Sequence, residues 1–177
     1  MKTKIVPGAD ISAEKGLRAE DYINSVTDIP KSIWAGFSTI VKHCYDTSKA
    51  HGWWAKYDDL PEKFLPELIA SKLMLIVSEA AEGLEEVREN DGGVYYTGPP
   101  NEHGHRRVVP ESEWGEWKFG DLKPEGLISE IADVIIRCND LAAWLNERFG
   151  AGDLAKVMVQ KMAYNERRKH MHGGKSL

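Results

Sequence analysis

The sequence predicts an all-α fold: an antiparallel four-helix-type bundle with one long irregular insert between its second and third helices. Two observations carry this. Apolar residues recur at three- and four-residue intervals in four segments, the period of a helix that buries one face, and each segment ends at glycine. Between residues 91 and 125 that period disappears and Gly and Pro become dense. Long helices joined by short connections favour antiparallel packing.

Taken in order, residues 1–29 are polar, and "SAEKGLRAEDYINS" reads as a short helix weakened by Gly16. Pro30 suits a helix start. Ile33, Trp34, Phe37, Ile40, Val41, Cys44 and Tyr45 then mark an amphipathic helix over about 31–50, ended by Gly52. Pro61 opens the second helix, which runs to about Asn90, where "DGG" at 91–93 stops it. The insert 91–125 holds "VYYT" and "RRVV" around a turn-rich stretch, which suggests a small β-hairpin. Its aromatics Tyr95, Tyr96, Trp114, Trp117 and Phe119 argue against disorder. A lid over a site and an oligomer arm both fit such a segment. The third helix covers about 126–149, closed by Gly150, and the fourth about 152–170, closed by "GG" at 173–174.

The chain of 177 residues is long enough for one domain with a sizeable core, and we read 1–177 as a single domain with 91–125 as its insert. No apolar run reaches the roughly 18 residues of a membrane helix, and no apolar segment follows the N-terminal lysines as a secretory signal would require. Cys44 and Cys138 sit among apolar residues and read as reduced thiols of a cytoplasmic protein. A net charge of −5 offers no basic excess for a nucleic-acid polymer.

The chemistry is concentrated in carboxylates. On the second helix, "SEAAEGLEE" places Glu79, Glu82 and Glu86 within an arc of roughly 60° at about 100° per residue. Leu73, Ile76, Val77, Ala80, Leu84 and Val87 occupy a different sector and should face the core. On the third helix, "SEIADVIIRC" sets Glu130 and Asp133 three residues apart among Ile131, Val134, Ile135 and Ile136. A carboxylate leaving water without a partner loses several kcal/mol of solvation. Two facing pairs would repel strongly unless a hard divalent cation held them. Neither pair has the Cys or His spacing of a zinc site, nor the Glu-x-x-His of di-iron bundles. Against this stands the plain alternative that the stripe at 79–86 is a solvated helix face.

The C-terminal segment "QKMAYNERRKHMHGGK" clusters Lys161, Arg167, Arg168, Lys169 and Lys175. Complementing a helix C-terminus explains these cations, and contact with phosphates does so too. His-x-His at 103–105 and at 170–172 reads as exposed rather than ligating. Trp53 and Trp54 suit base stacking or core anchoring equally. The third helix is apolar over more of its circumference than one neighbour covers, so we expect at least a dimer.

"SEAAEGLEE", "SEIADVII", "KMAYNERRKHMHGGK" and "KAHGWW" at 49–54 together resemble the all-α nucleoside triphosphate pyrophosphohydrolases, the MazG-like group, over roughly 31–90 and 124–175. The resemblance implies an oligomeric helical bundle, a homodimer or homotetramer. It also implies cleavage of an NTP or dNTP to the monophosphate and pyrophosphate, with Mg²⁺ as cofactor and Mn²⁺ as a substitute. By position it makes Glu79, Glu82, Glu130 and Asp133 the metal ligands, with Glu79 or Glu82 as catalytic base. Lys161, Asn165 and Arg168 become phosphate or sugar contacts, and Trp53 and Trp54 base neighbours. The sequence departs from the pattern at Ser78, where the family often has a second Glu, and in the stretched connection 91–125. A non-enzymatic helical interaction module, and a related enzyme acting on a phosphoribosylated nucleotide, are the alternatives.

Overall fold

The computed structural model describes residues 31–89, 93–118 and 120–166. Among them the chain is mostly helical, with α1 Lys31–Ala50, α2 Leu65–Glu89, α3 Leu127–Phe149 and α4 Leu154–Glu166. The strands β1 Tyr95–Thr97 and β2 Lys123–Glu125 form a small antiparallel sheet. The expected helix over 12–25 and the end of the fourth helix, with Arg168 and both "HMH" and "GG", lie outside the described residues. No helix of the described residues is long and apolar enough to cross a membrane.

The helices fall where the apolar period placed them, with local corrections. Pro61 does not open α2 directly: a 3₁₀ turn at Glu62–Phe64 intervenes, and the α-helix starts at Leu65. Gly52 and Gly150 follow α1 and α3 in left-handed conformation, as helix stops do. Asp153 caps α4, its Oδ1 accepting from the Lys156 amide at 2.9 Å.

Two compact units divide the chain: residues 31–66 with 139–166, and residues 67–138. In the first, α1 and α4 are in contact, and Val41, Tyr45, Trp54, Leu141, Trp144 and Ala155 are buried. The Trp54 ring stacks on Trp144 at 4.8 Å and 12°, and its Nε1 donates to Asp140 Oδ1 at 2.8 Å. Tyr45 meets Trp54 edge-on at 6.0 Å, and its hydroxyl donates to Glu147 Oε1 at 3.2 Å, which also accepts from Lys49 Nζ at 3.0 Å. Asn139 is buried with its Nδ2 3.8 Å from Cys44 Sγ. Both cysteines are free.

In the second unit the insert is ordered by its own contacts. The expected hairpin of "VYYT" with "RRVV" is replaced by a small antiparallel sheet in which β1 pairs with β2, in the register Tyr95↔Glu125, Tyr96↔Pro124 and Thr97↔Lys123. "RRVV" contributes a single bridge, Thr97↔Val108, flanked by Gly98 N→Arg107 O and Val109 N→Tyr96 O. Asn101 Oδ1 accepts from the amides of His103 and His105 and so folds the tip. Trp114 packs edge-on against Tyr96 and donates Nε1 to Val109 O at 3.1 Å. Val109 is among the most buried side chains described.

One expectation is overturned. The sector Leu73, Val77, Leu84 and Val87 does not face a core: all four are exposed, Val77 to 54 % and Leu84 to 50 %, whereas Glu79 is buried at 6 %. Gly83, about 40° round the helix from Glu79, lies on the contact: a Cβ built there would be in ordinary van der Waals contact, 3.4 Å from Glu130 Cβ and from Leu127 Cδ1. α2 and α3 approach through their carboxylate faces, and the broader apolar sectors turn outward.

Candidate metal centre

The unit 67–138 brings the acidic stripes of α2 and α3 together. Gly126 sets the start of α3. Its φ of +99° lies in a region that favours glycine, and a Cβ there would stand 2.0 Å from the Gly93 carbonyl oxygen. Its own carbonyl accepts from the Glu130 amide at 3.1 Å, so the turn that demands glycine also positions Glu130 in the first turn of the helix.

Glu79, Glu82 and Glu130 each present a carboxylate oxygen within 4.8 Å of the other two. Glu79 and Glu130 are buried, Glu130 at 7 %, while Glu82 is exposed. Burial pushes the Glu130 carboxyl above its ordinary value, and the charges of Glu82, Asp133 and Glu79 push it further, with Lys123 opposing. Asp133 is also raised, by burial first and then by Glu79, with Arg137 and Lys123 opposing. It is coupled to the cluster without being one of the three whose oxygens converge. Ser78 takes no part, since its hydroxyl donates back to the Leu75 carbonyl at 2.8 Å.

An ion pair joins Arg137 Nη2 on α3 to Glu79 Oε1 on α2. Beside the cluster, Tyr95 donates its hydroxyl to Glu86 Oε1 at 3.3 Å, and Lys123 pairs with Glu125 Oε2 at 2.6 Å. The insert therefore brings a phenol, an ammonium and a further carboxylate to the acidic site. None of these three was evident in the sequence, because strand pairing across 28 residues leaves no local pattern. Arg137 did leave one: it is seven residues from Glu130 and four from Asp133, which places it on their helix face.

Three convergent carboxylates, two of them buried, with no Cys or His among them, make an all-oxygen donor set. That set is the donor type hard divalent cations take, without the sulfur or imidazole ligands typical of zinc and copper sites. Lys161, Asn165, Trp53 and Trp54 belong to the other unit. Lys161 and Asn165 are exposed on α4, with Lys161 Nζ 5.4 Å from the Tyr164 ring centroid. Trp53 is exposed at 57 %, near His51, whereas Trp54 is a core residue engaged by Trp144 and Asp140. His103 and His105 are exposed and take no part in the cluster.

Comparison of the chain with protein-family models, curated proteins and solved structures finds no match in any of the three.

Proposed function

We propose that this chain is a Mg²⁺-dependent nucleoside triphosphate pyrophosphohydrolase of the MazG-like type. It would convert an NTP or dNTP to the monophosphate and pyrophosphate, its four helices closing as an antiparallel bundle in a homodimer or homotetramer. The observation that carries this reading is the convergence of Glu79, Glu82 and Glu130 at a helix–helix contact. Residues so arranged repel one another and gain nothing from burial, so their placement answers to a ligand rather than to stability. The outward apolar sectors of α2 and α3 support the oligomer.

Glu79, Glu82 and Glu130 would hold the cation, with Asp133 adding charge beside them. Mg²⁺ held there would supply charge neutralisation for the triphosphate and acidify a nucleophilic water. Glu82 is the exposed member of the cluster and so the carboxylate placed to accept a proton. Glu79, buried and paired with Arg137, serves as ligand rather than base. Lys161, Asn165 and Arg168 are proposed for phosphate and sugar contact. Trp53 is proposed for the base, since Trp54 has one ring face against Trp144.

The test is a panel of NTPs and dNTPs with Mg²⁺, monitored separately for pyrophosphate and orthophosphate. Pyrophosphate release from at least one nucleotide, lost in Glu82→Gln, is the expected result. Orthophosphate alone, or no turnover across the panel, refutes the reading.

A further inference from the structure

Arg137 is the cation that already sits on this cluster, and its bonding is incomplete. Its Nη2 pairs with Glu79, but its Nε is buried and has no hydrogen-bond partner among the described residues. A guanidinium that only ties two helices together commonly presents Nε and Nη2 as a fork to one carboxylate. Here one prong of the fork is buried without an acceptor, while the side chain as a whole is 37 % exposed. Glu79 is moreover shared: the oxygen it offers to Arg137, Oε1, belongs to the same carboxylate that converges with Glu82 and Glu130. A divalent cation on those carboxylates competes with the guanidinium for Glu79 and repels it. An anion on the cation's outer positions would supply what Arg137 then lacks, acceptor oxygens in fork geometry. Phosphoryl groups match that geometry.

We infer that Arg137 is an exchangeable counter-ion, trading Glu79 for a phosphoryl oxygen of the ligand when a divalent cation occupies the carboxylates. This rests on the reading of the cluster as a cation site for a polyphosphate. The consequence is coupling. Arg137 weakens binding of the cation alone and strengthens binding of cation and polyphosphate together, which favours loading both over loading either one. A plain structural tether would change both affinities in the same direction.

Isothermal titration separates the cases, with Mn²⁺ alone and then imidodiphosphate in saturating Mn²⁺ as probes, on the full chain. Arg137→Gln is expected to bind Mn²⁺ severalfold more tightly than the parent and Mn²⁺-dependent imidodiphosphate about tenfold more weakly. Arg137→Lys keeps the charge but not the fork. It should match the parent for Mn²⁺ within about twofold and still lose about tenfold for imidodiphosphate, and it decides the matter if the glutamine variant does not fold. Equal imidodiphosphate binding by parent and variants overturns the inference, as does a parallel loss of both affinities. If the parent binds no Mn²⁺, or binds it equally after Glu130→Gln, the cation site itself is refuted. That result is distinct from a parent that binds through its carboxylates while Arg137 proves indifferent.

Discussion

Replacing Glu130 with glutamine should make the protein more stable when divalent cations are chelated, and less responsive when they are supplied. The oxygens of Glu79, Glu82 and Glu130 lie within 4.8 Å of one another. Two unit charges at that separation repel by about 3 kcal/mol at an effective dielectric of about 20, and by about 1 kcal/mol in water. Glu82 is exposed, and the Glu79 charge is offset by Arg137, so the lower figure applies to each pair. Relief of two pairs then comes to about 1–2 kcal/mol. One term opposes it. Glu130 lies in the first turn of α3, where a negative charge contributes about 0.3–1 kcal/mol that glutamine forfeits. Repulsion wins, because burial of the charged form adds to it.

The expected net gain is about 1 kcal/mol, a rise in Tm of about 2–4 °C for a chain of this size. Thermal melts of parent and variant in EDTA measure it. Adding Mg²⁺ should then reverse the order, since a ligand stabilises only through its affinity for the folded state. A variant that melts lower than the parent in EDTA would show that Glu130 is a net stabilising residue. Equal Mg²⁺ stabilisation of both proteins would remove Glu130 from the cation site.

The same pair of proteins should show a pH signature. A carboxyl raised in the folded state destabilises it fully above the folded pKa and not at all below the unfolded value, so in EDTA the parent's deficit should close as pH falls toward 4.5; a deficit that widens on acidification contradicts the assignment. Gly126→Ala, which drives a Cβ to 2.0 Å from Gly93 O, should lose about 1–3 kcal/mol in urea denaturation and weaken Mn²⁺ binding by displacing Glu130, and an unaffected variant would refute the role given to that turn. Trp54→Ala should lose about 3–5 kcal/mol, whereas Trp53→Ala should stay within about 0.5 kcal/mol of the parent; comparable losses would mean that Trp53 too is a core residue. Light scattering at micromolar concentration should give at least a dimer, dispersed by Ile135→Lys or Val77→Lys, and a monomeric parent would refute the oligomer.

The helices were legible because their period is strong and glycine follows them; Glu79, Glu82 and Glu130 were legible because three- and four-residue spacing forces side chains onto one face. What the sequence could not decide was which face of α2 meets α3. Periodicity measures how wide an apolar sector is, not what packs against it, and a helix with both an apolar and an acidic stripe offers two contact faces. Gly83 sits on the contact face, about 40° round the helix from Glu79, but a Cβ there would meet Glu130 and Leu127 only at ordinary contact distance, so the glycine alone does not mark the face. Trp54 shows the same limit. Its neighbour in sequence, Trp53, is identical in type, and only Trp144 and Asp140, contributed from nearly ninety residues away, decide which of the two is core.

The inverted polarity of α2 and α3 links stability to the proposed chemistry. Among the described residues, nine large aliphatic side chains are exposed on the two helices: Leu73, Leu75, Val77, Leu84, Val87, Ile128, Ile131, Ile135 and Ile136. Full burial of such a side chain is worth about 1.5–3 kcal/mol, and these are about half exposed, so covering them would release on the order of 8 kcal/mol. The repulsion within the carboxylate cluster is smaller, about 1–2 kcal/mol after the offset by Arg137. A surface that covers the apolar sectors can therefore hold the acidic faces together without any cation, which leaves the carboxylates in place for a ligand to find. Were the polarity the usual one, the carboxylates would turn to solvent, Arg137 would have no buried partner, and no site would form between the helices.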